Sequence, residues 1–181
     1  MTAWVWLNVF STELHKILEL NSGAYELQKK YELSLIYIGS STCGPSNHMD
    51  LPPAFIQIQH TLEKKAKEHG YGFKTIGIAK EIQITDGLVH LAEYGSFDEV
   101  LVGNNWSNLG LIRYIYDEIP GKAATPQLLV TRRSFKAPAS DNSTIYRGLE
   151  NEILLMRKIG FREIIDWSKM GSILPTDSFI E

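Results

Sequence analysis

Two short apolar runs separated by an amphipathic segment constrain the fold of this chain more than any other feature. The runs are LSLIYIG, residues 33–39, and FKTIGIA, residues 73–79. Continuous apolar runs of this length are typical of strands that are buried on both faces of a sheet. The segment between them predicts a helix, because its apolar residues recur at helical spacing: Phe55, Ile58, Leu62 and Ala66. A strand, a helix and a second strand predict a βαβ unit with parallel strands, and therefore an α/β fold.

Composition and charge exclude several classes of protein. The 181 residues suit one domain, and the proportions of hydrophobic residues (44%) and charged residues (22%) are those of a globular chain. The net charge of −3 gives no basic field that would attract nucleic acid. No apolar stretch reaches the length of about 20 residues that a membrane-spanning helix needs, and the N-terminus lacks the cationic region of a signal peptide. We therefore expect a soluble cytoplasmic protein that binds neither nucleic acid nor membrane, and whose oligomeric state the sequence leaves open.

The rest of the chain predicts further elements around this unit. Helices are predicted over residues 1–32, 86–94, 106–119 and 149–159, and antiparallel strands over residues 127–132 and 143–147. The stretch WVWLNVF near the N-terminus is also compatible with an edge strand. The predicted organisation is a helical extension (1–32), a domain (33–160) with an insertion at about 80–124, and a C-terminal tail (161–181) in which no element is placed.

The only cysteine, Cys43, lies in the turn SSTCGPSN directly after the first strand. A single cysteine excludes an internal disulfide. At the start of a helix, backbone N–H groups stabilise a thiolate, so we expect the pKa of Cys43 to lie below its usual value. Gly44 allows close approach of another backbone, Pro45 suits a first helical turn, and Thr42 and Ser46 can each offer a hydroxyl group to the sulfur. The alternative is a small, buried structural cysteine at the end of a strand.

The stretch LIYIGSSTCGPSN resembles the active-site region of the thioredoxin superfamily, in which a strand runs into Cys-Gly-Pro-Cys and then a long helix. Cys43, Gly44 and Pro45 match three of the four motif positions, and Ser46 stands at the position of the second cysteine. The stretch AATPQLLVTR resembles the element that carries a cis-proline in this superfamily, with Pro126 as the cis residue. The resemblance covers about residues 32–160. It implies a three-layer α/β/α sandwich with a mixed central sheet and a helical insertion before the cis-proline strand.

The same resemblance implies a thiol chemistry that uses one cysteine. Cys43 attacks a disulfide, a glutathionylated cysteine or a sulfenic acid, and an external thiol then has to release the product. In this interpretation Ser46 hydrogen-bonds to the thiolate, Pro126 shapes a substrate groove, and Thr125 pairs with the backbone of the substrate. The implied partner is a protein thiol or disulfide.

Glutathione is the candidate co-substrate, because monothiol glutaredoxins use it in this way. The chain does not contain the Gly-Gly-x-x-Asp segment that follows the cis-proline strand in glutaredoxins. No other cofactor is predicted, and no spacing of histidines with cysteines or carboxylates predicts a metal site. The alternative function is a non-catalytic module that binds a protein partner through the same groove.

The residues between the second strand and Pro126 exceed what such a fold needs. The stretch NWSNLGLIRYIYDEIPGKAATPQLLV resembles a group of bacterial thioredoxin-like proteins. Trp106 and the asparagines around it, Asn104, Asn105 and Asn108, are predicted to form a recognition patch with a polar rim. The alternative is that Trp106 anchors the core and the asparagines cap helices. His48 is placed either beside Cys43, where its charge would lower the pKa of the thiol, or in solvent.

Overall fold

The computed structural model of the protein describes residues 29–136 and 148–179. Its strands are β1 (Tyr31–Gly39), β2 (Gly72–Ala79), β3 (Glu99–Val102), β4 (Gln127–Phe135) and β5 (Leu149–Ile159). Its longer helices are α1 (Leu51–Glu68), α2 (Ile84–Ala92) and α3 (Phe161–Lys169). Residues 1–28 of the predicted N-terminal extension and the whole strand predicted over 143–147 lie outside the described residues.

The five strands form one mixed sheet in the order β3-β2-β1-β4-β5. β1, β2 and β3 are parallel, since α1 and the chain after it cross over between them. β4 runs antiparallel to β1, and β5 runs antiparallel to β4. β1 is therefore the central strand, and every residue from Glu32 to Gly39 is buried. The predicted α/β class with a mixed central sheet is confirmed.

Helices cover both faces of the sheet, because β1 carries apolar side chains on each face. On the first face, Leu33, Leu35 and Tyr37 pack in one cluster with residues of α1, α2 and α3. On the second face, Ile36 and Ile38 pack against a short helix of mixed geometry. This mixed helix consists of an α-helical turn at Leu109–Leu111 that continues as a π-helical turn at Ile112–Tyr116. The result is the three-layer arrangement predicted from the sequence.

The helix predicted over residues 149–159 is wrong, because this segment is strand β5. A bulge explains the error. Leu154 pairs with Thr131 and Met156 pairs with Val130, which leaves Leu155 as an extra residue in the ladder. A second register shift leaves Glu150 as a further extra residue between Leu149 and Asn151, so β5 has no continuous period of two from which a strand could be predicted. The final helix of the fold is instead α3, in the segment from residue 161 that the sequence left without an element.

Helix α3 belongs to the core of the domain. Gly160 takes a positive φ of 85° between β5 and α3, a conformation that favours glycine. Ile164, Ile165 and Trp167 are buried in the first-face cluster. The Ser168 hydroxyl donates a hydrogen bond to the side-chain oxygen of Gln57 on α1, at 3.1 Å. Helices α1 and α3 therefore pack side by side on one face of the sheet.

The insertion over residues 80–124 is only partly helical. It contains α2 and the mixed helix, but also β3, which adds a parallel edge strand beside β2. The helix predicted over 106–119 is divided between a 3-10 turn at Asn105–Ser107 and the mixed helix. Asn108 caps the mixed helix, since its side-chain oxygen accepts a hydrogen bond from the Gly110 N–H at 2.9 Å. Asn104 and Asn105 both take positive φ in the turn before it.

Candidate active site

Cys43 lies in a compact turn at the carboxyl end of β1. Its N–H donates to the Ser40 carbonyl at 3.1 Å, and its own carbonyl accepts from the N–H groups of Ser46 and Asn47 at 2.9 and 3.2 Å. These bonds form a 3-10 turn over Gly44–Asn47, with proline in its first turn. Helix α1 begins separately at Leu51. The expectation that Cys43 opens a long helix is therefore wrong, and the environment of its thiol has to come from nearby groups.

The thiol faces the segment that precedes β4. The Cys43 sulfur donates a hydrogen bond to the Thr125 carbonyl at 3.3 Å. The Thr125–Pro126 peptide bond is cis, and Pro126 is buried between Thr125 and β4. Cys43 and Pro126 are 83 positions apart in the sequence. The two motifs that contain them thus meet at the end of the sheet where β1 ends and β4 begins.

The order of elements decides the fold. A strand leads into the cysteine turn, a helix and a parallel strand, and the proline segment leads into an antiparallel pair of strands and a final helix. This is the order that the resemblance predicted. The fold is thioredoxin-like.

Several groups of this thioredoxin-like site act on the pKa of Cys43. Partial burial raises the pKa of the thiol. This effect is outweighed by hydrogen bonds from the Thr125 side chain and from the hydroxyl and N–H of Ser46, together with the charge of Lys80, so that the pKa of Cys43 is lowered. The Thr125 carbonyl acts in the opposite direction, since it accepts a hydrogen bond only from the protonated thiol. Thr125 thus contacts the sulfur in both protonation states.

Ser46 is fully buried. Its hydroxyl oxygen makes no hydrogen bond of good geometry among the described residues, yet it lies close enough to the sulfur to lower the pKa of the Cys43 thiol. A buried hydroxyl without a partner is costly. This hydroxyl acts on both Cys43 and Tyr37, and on each of them it works towards a lower pKa.

The other predicted residues of the turn are exposed. Gly44 and Pro45 are exposed beside Cys43, which is itself partly exposed. The Thr42 hydroxyl lies 3.0 Å from the Ser40 hydroxyl and is engaged there. Thr42 is therefore placed as a residue that shapes the turn.

Two residues after β2, Lys80 and Glu81, complete the surroundings of the turn. The Lys80 N–H donates to the Gly39 carbonyl at 2.9 Å. The buried Glu81 carboxylate accepts a hydrogen bond from the Ser41 N–H at 2.5 Å. Neither residue was predicted from the sequence to lie at the site. A signal was present, because parallel strands end at the same edge of a sheet, so the residues that follow FKTIGIA had to lie beside the cysteine turn.

Trp106 is half-buried at the margin of the second-face cluster. Its ring packs edge-on against Tyr116, with the ring centroids 6.4 Å apart, and the Lys80 ammonium lies 5.1 Å from the centre of the indole. The Asn105 N–H donates to the Glu81 carbonyl at 2.9 Å. Trp106 and Asn105 therefore contact Lys80 and Glu81, which lie beside the cysteine turn, and Trp106 is partly exposed to solvent.

His48 is engaged in packing at the start of α1. Its ring stacks on Phe161, with centroids 4.4 Å apart, and its Nδ1 accepts a hydrogen bond from the Asp50 N–H at 3.3 Å. The Asp50 carboxylate lies 3.9 Å from the same nitrogen. These contacts explain the position of the His48 side chain without any role for it at the Cys43 thiol.

The described residues contain no group of three or more histidine, cysteine or acidic side chains that could hold a metal ion. Among the helices in the described part of the chain, none is both long enough and apolar enough to cross a membrane.

Comparisons with known proteins add a remote likeness. No protein-family model and no curated protein sequence matches the chain. Among solved structures, the chain is similar to a thiol:disulfide interchange protein of the thioredoxin family from Chlorobium tepidum TLS, with 15% sequence identity and a TM-score of 0.36. The match covers 77% of this chain and 79% of that chain. The thioredoxin-like assignment rests on the order of elements and the strand pairing described above.

Proposed function

We propose that the protein is a monothiol thioredoxin-like protein that reacts through Cys43 with disulfide, glutathionylated or sulfenic acid groups of proteins. The observation that carries the proposal is the position of the Cys43 sulfur. Cys43 is a partly exposed residue, its sulfur donates a hydrogen bond to the Thr125 carbonyl beside Pro126, and the groups around it lower the pKa of its thiol. A thiolate near neutral pH is the nucleophile that such an exchange requires.

The exchange balances with the Cys43 thiol and one molecule of free glutathione, because the other half of the oxidised glutathione comes from the substrate. With a glutathionylated protein, the Cys43 thiolate attacks the glutathione sulfur and forms a new S–S bond to it. The original S–S bond breaks, and the substrate thiolate leaves and takes a proton from solvent. A free glutathione thiolate then attacks the bound glutathione sulfur, which releases the Cys43 thiolate and oxidised glutathione. Glutathione serves here as co-substrate, and no resident cofactor takes part.

Each residue around the sulfur has a role in this proposal. Ser46 and Lys80 stabilise the Cys43 thiolate before attack and after release. Pro126 shapes the groove, and Thr125 pairs with the backbone of the substrate next to its reacting sulfur. Trp106, open on one side, adds a contact to the partner. The proposed compartment is the cytoplasm, where small thiols are kept reduced.

The missing second thiol provides the test. After reduction and removal of the reductant, Ser46→Cys should reduce insulin, at least weakly, in a single turnover that leaves an internal disulfide. The natural protein should be nearly inactive with insulin until glutathione is added, because only an external thiol can release its mixed disulfide. Cys43→Ser is the control and should be inactive in both assays. Strong insulin reduction by the natural protein without any added monothiol would contradict the proposal.

A second function, a non-catalytic module that binds a protein partner, is favoured by one observation. Large apolar side chains are exposed close to the cysteine turn in the sequence and after Glu81, namely Met49 (82% exposed) and Ile82 (78% exposed). Capture of a partner by Cys43→Ser distinguishes the two functions. A binding module keeps its partner after loss of the sulfur and loses it with Trp106→Ala, whereas a redox protein loses covalent capture with Cys43→Ser.

A further inference from the structure

A buried chain of hydrogen bonds ends on Ser46, the residue at the position of the second cysteine of the motif. The Tyr94 hydroxyl donates to the Ser46 carbonyl at 2.7 Å, and the Tyr37 hydroxyl donates to the Tyr94 hydroxyl at 2.6 Å. The His90 Nε2 lies 3.3 Å from the Tyr37 hydroxyl. All three side chains are buried, with at most 2% of their surface exposed. The chain therefore links the core of the first face to the back of the Cys43 turn.

The direction of the protons in this chain is fixed. A carbonyl can only accept, so Tyr94 has to donate to Ser46, Tyr37 to Tyr94, and the His90 Nε2–H to Tyr37. Burial supports this arrangement, because it raises the pKa of Tyr94 to about 12, raises the pKa of Tyr37 and lowers the pKa of His90. Both phenols thus remain protonated and the imidazole remains neutral at physiological pH.

Gly39 leaves the space that this chain of hydrogen bonds occupies. A side-chain carbon at this position would lie 2.5 Å from both the His90 Nε2 and the Tyr37 hydroxyl oxygen, well inside contact distance. The Tyr37 and Tyr94 rings also pack on each other, with centroids 4.1 Å apart. The charged groups nearest the chain are Glu81 and Glu93, which act on His90, and Cys43 itself.

We propose that Tyr94, Tyr37 and His90 are positioning residues for the Cys43 thiol. The Ser46 N–H donates to the Cys43 carbonyl at 2.9 Å, and Tyr94 holds the Ser46 carbonyl at 2.7 Å. The hydrogen-bond chain therefore fixes the backbone of Ser46 next to Cys43, and with it the position of the buried Ser46 hydroxyl group. The inference rests on the proposed function, since it assigns the chain to the preparation of a thiolate for exchange.

The test is the rate at which iodoacetamide alkylates Cys43, measured from pH 5 to pH 10 in the full-length protein. Tyr94→Phe removes one hydroxyl group and keeps the ring. We expect the pKa of the thiol to rise by about 0.5 to 1 unit, which slows alkylation at low pH about threefold to tenfold. Tyr114→Phe is the matched control. Tyr114 is equally buried on the opposite face, where its hydroxyl accepts a hydrogen bond from Arg133, and its loss should leave the profile of Cys43 unchanged.

The pKa of Cys43 measured in the natural protein distinguishes failure of this inference from failure of the proposed function. An ordinary pKa for Cys43 in the natural protein would count against the proposed function. A low pKa there that Tyr94→Phe leaves unchanged would overturn the positioning role alone. If Tyr94→Phe does not fold, Tyr37→Phe serves instead, because it frees the Tyr94 hydroxyl from its donor. It should shift the profile in the same direction by a smaller amount, and an unchanged profile would equally overturn the inference.

Discussion

At the scale of single residues, Ser46 places a hydroxyl group where the Cys-Gly-Pro-Cys motif has a second thiol. A cysteine there would resolve a mixed disulfide from within the chain, whereas a hydroxyl can only donate a hydrogen bond to the sulfur. The hydroxyl is buried beside Cys43 and has no other partner of good geometry in the described part of the chain. Ser46 therefore favours formation of the thiolate without providing a route for its release.

Loss of the Ser46 hydroxyl should be visible in the pKa of the thiol. Ser46→Ala removes one of the groups that lower this pKa, so alkylation of Cys43 below pH 7 should slow about threefold. The pKa of the natural thiol is lower in the folded than in the unfolded state, so stability gained from the thiolate is present above the unfolded value, about 8.5, and is lost as the pH falls through the folded value. Urea denaturation at pH 6 and pH 9 should show a smaller difference for Ser46→Ala than for the natural protein. An equal difference would contradict this role.

At the scale of elements, Arg157 on β5 holds the chain that leads to the cis-proline. Its guanidinium donates to the carbonyls of Tyr114 and Ile119 at 3.1 and 2.9 Å, and to the side-chain oxygen of Gln127 at 2.9 Å. The amide nitrogen of Gln127 in turn donates to the carbonyls of Lys122 and Ala124, both at 2.6 Å. Two neighbouring strands thus fix the segment that presents Thr125 to the sulfur.

Arg157→Met should release this segment. The substitution keeps most of the apolar stem but leaves three acceptors without their donor, so we expect the free energy of unfolding to fall by about 2 kcal/mol. Hydrogen exchange should accelerate most over residues 117–125. Lys158→Met, one position along the same strand, is the control and should change neither quantity. Uniform acceleration over the whole sheet would show that Arg157 stabilises the domain generally and not this segment.

The elements also show what the sequence could predict. LSLIYIG is buried on both faces, and so is FKTIGIA from Thr75 onwards, so their apolar runs identify β1 and β2 directly. The meeting of Cys43 with the Thr125–Pro126 segment followed from the motifs. β5 could not be predicted from periodicity, because register shifts at Glu150 and Leu155 interrupt its period of two. β3 lies in a stretch of only four residues, too short to show a period. The chain from His90 to Ser46 depends on contacts across the first face, which no local pattern encodes.

At the scale of the whole molecule, a buried group of charges holds the second face together at the end of the sheet away from Cys43. The Glu152 carboxylate accepts hydrogen bonds from Arg133 at 3.0 Å, from Arg113 at 2.6 Å and from Thr131 at 2.6 Å. Arg133 also lies 3.4 Å from Glu32. The contacts join β1, β4, β5 and the mixed helix, so the group links four elements that are distant in sequence.

Removal of one member should affect the entire domain. Glu152→Ala leaves Arg133 buried without its main partner, and breaking a buried pair in this way costs about 3 to 5 kcal/mol. The urea midpoint should fall sharply, while the pKa of Cys43 in the protein that remains folded should be unchanged. Glu150→Ala, on the same strand but exposed, should have little effect. A loss below about 1 kcal/mol for Glu152→Ala would contradict the importance of this group.

The position of β3 also limits which deletions the protein can tolerate. It forms the outer edge of the sheet, and the turn after it reaches Glu81, which in turn holds the backbone of Ser41 beside the cysteine. A shortened relative without residues 97–107 would lose the cover of β2 and the brace of the reactive loop together. The uncovered β2 would present the unpaired backbone groups of Ile76–Ala79, a template for pairing between molecules. Tolerance to deletion in this stretch should therefore be low, and the shortened chains should accumulate as aggregates.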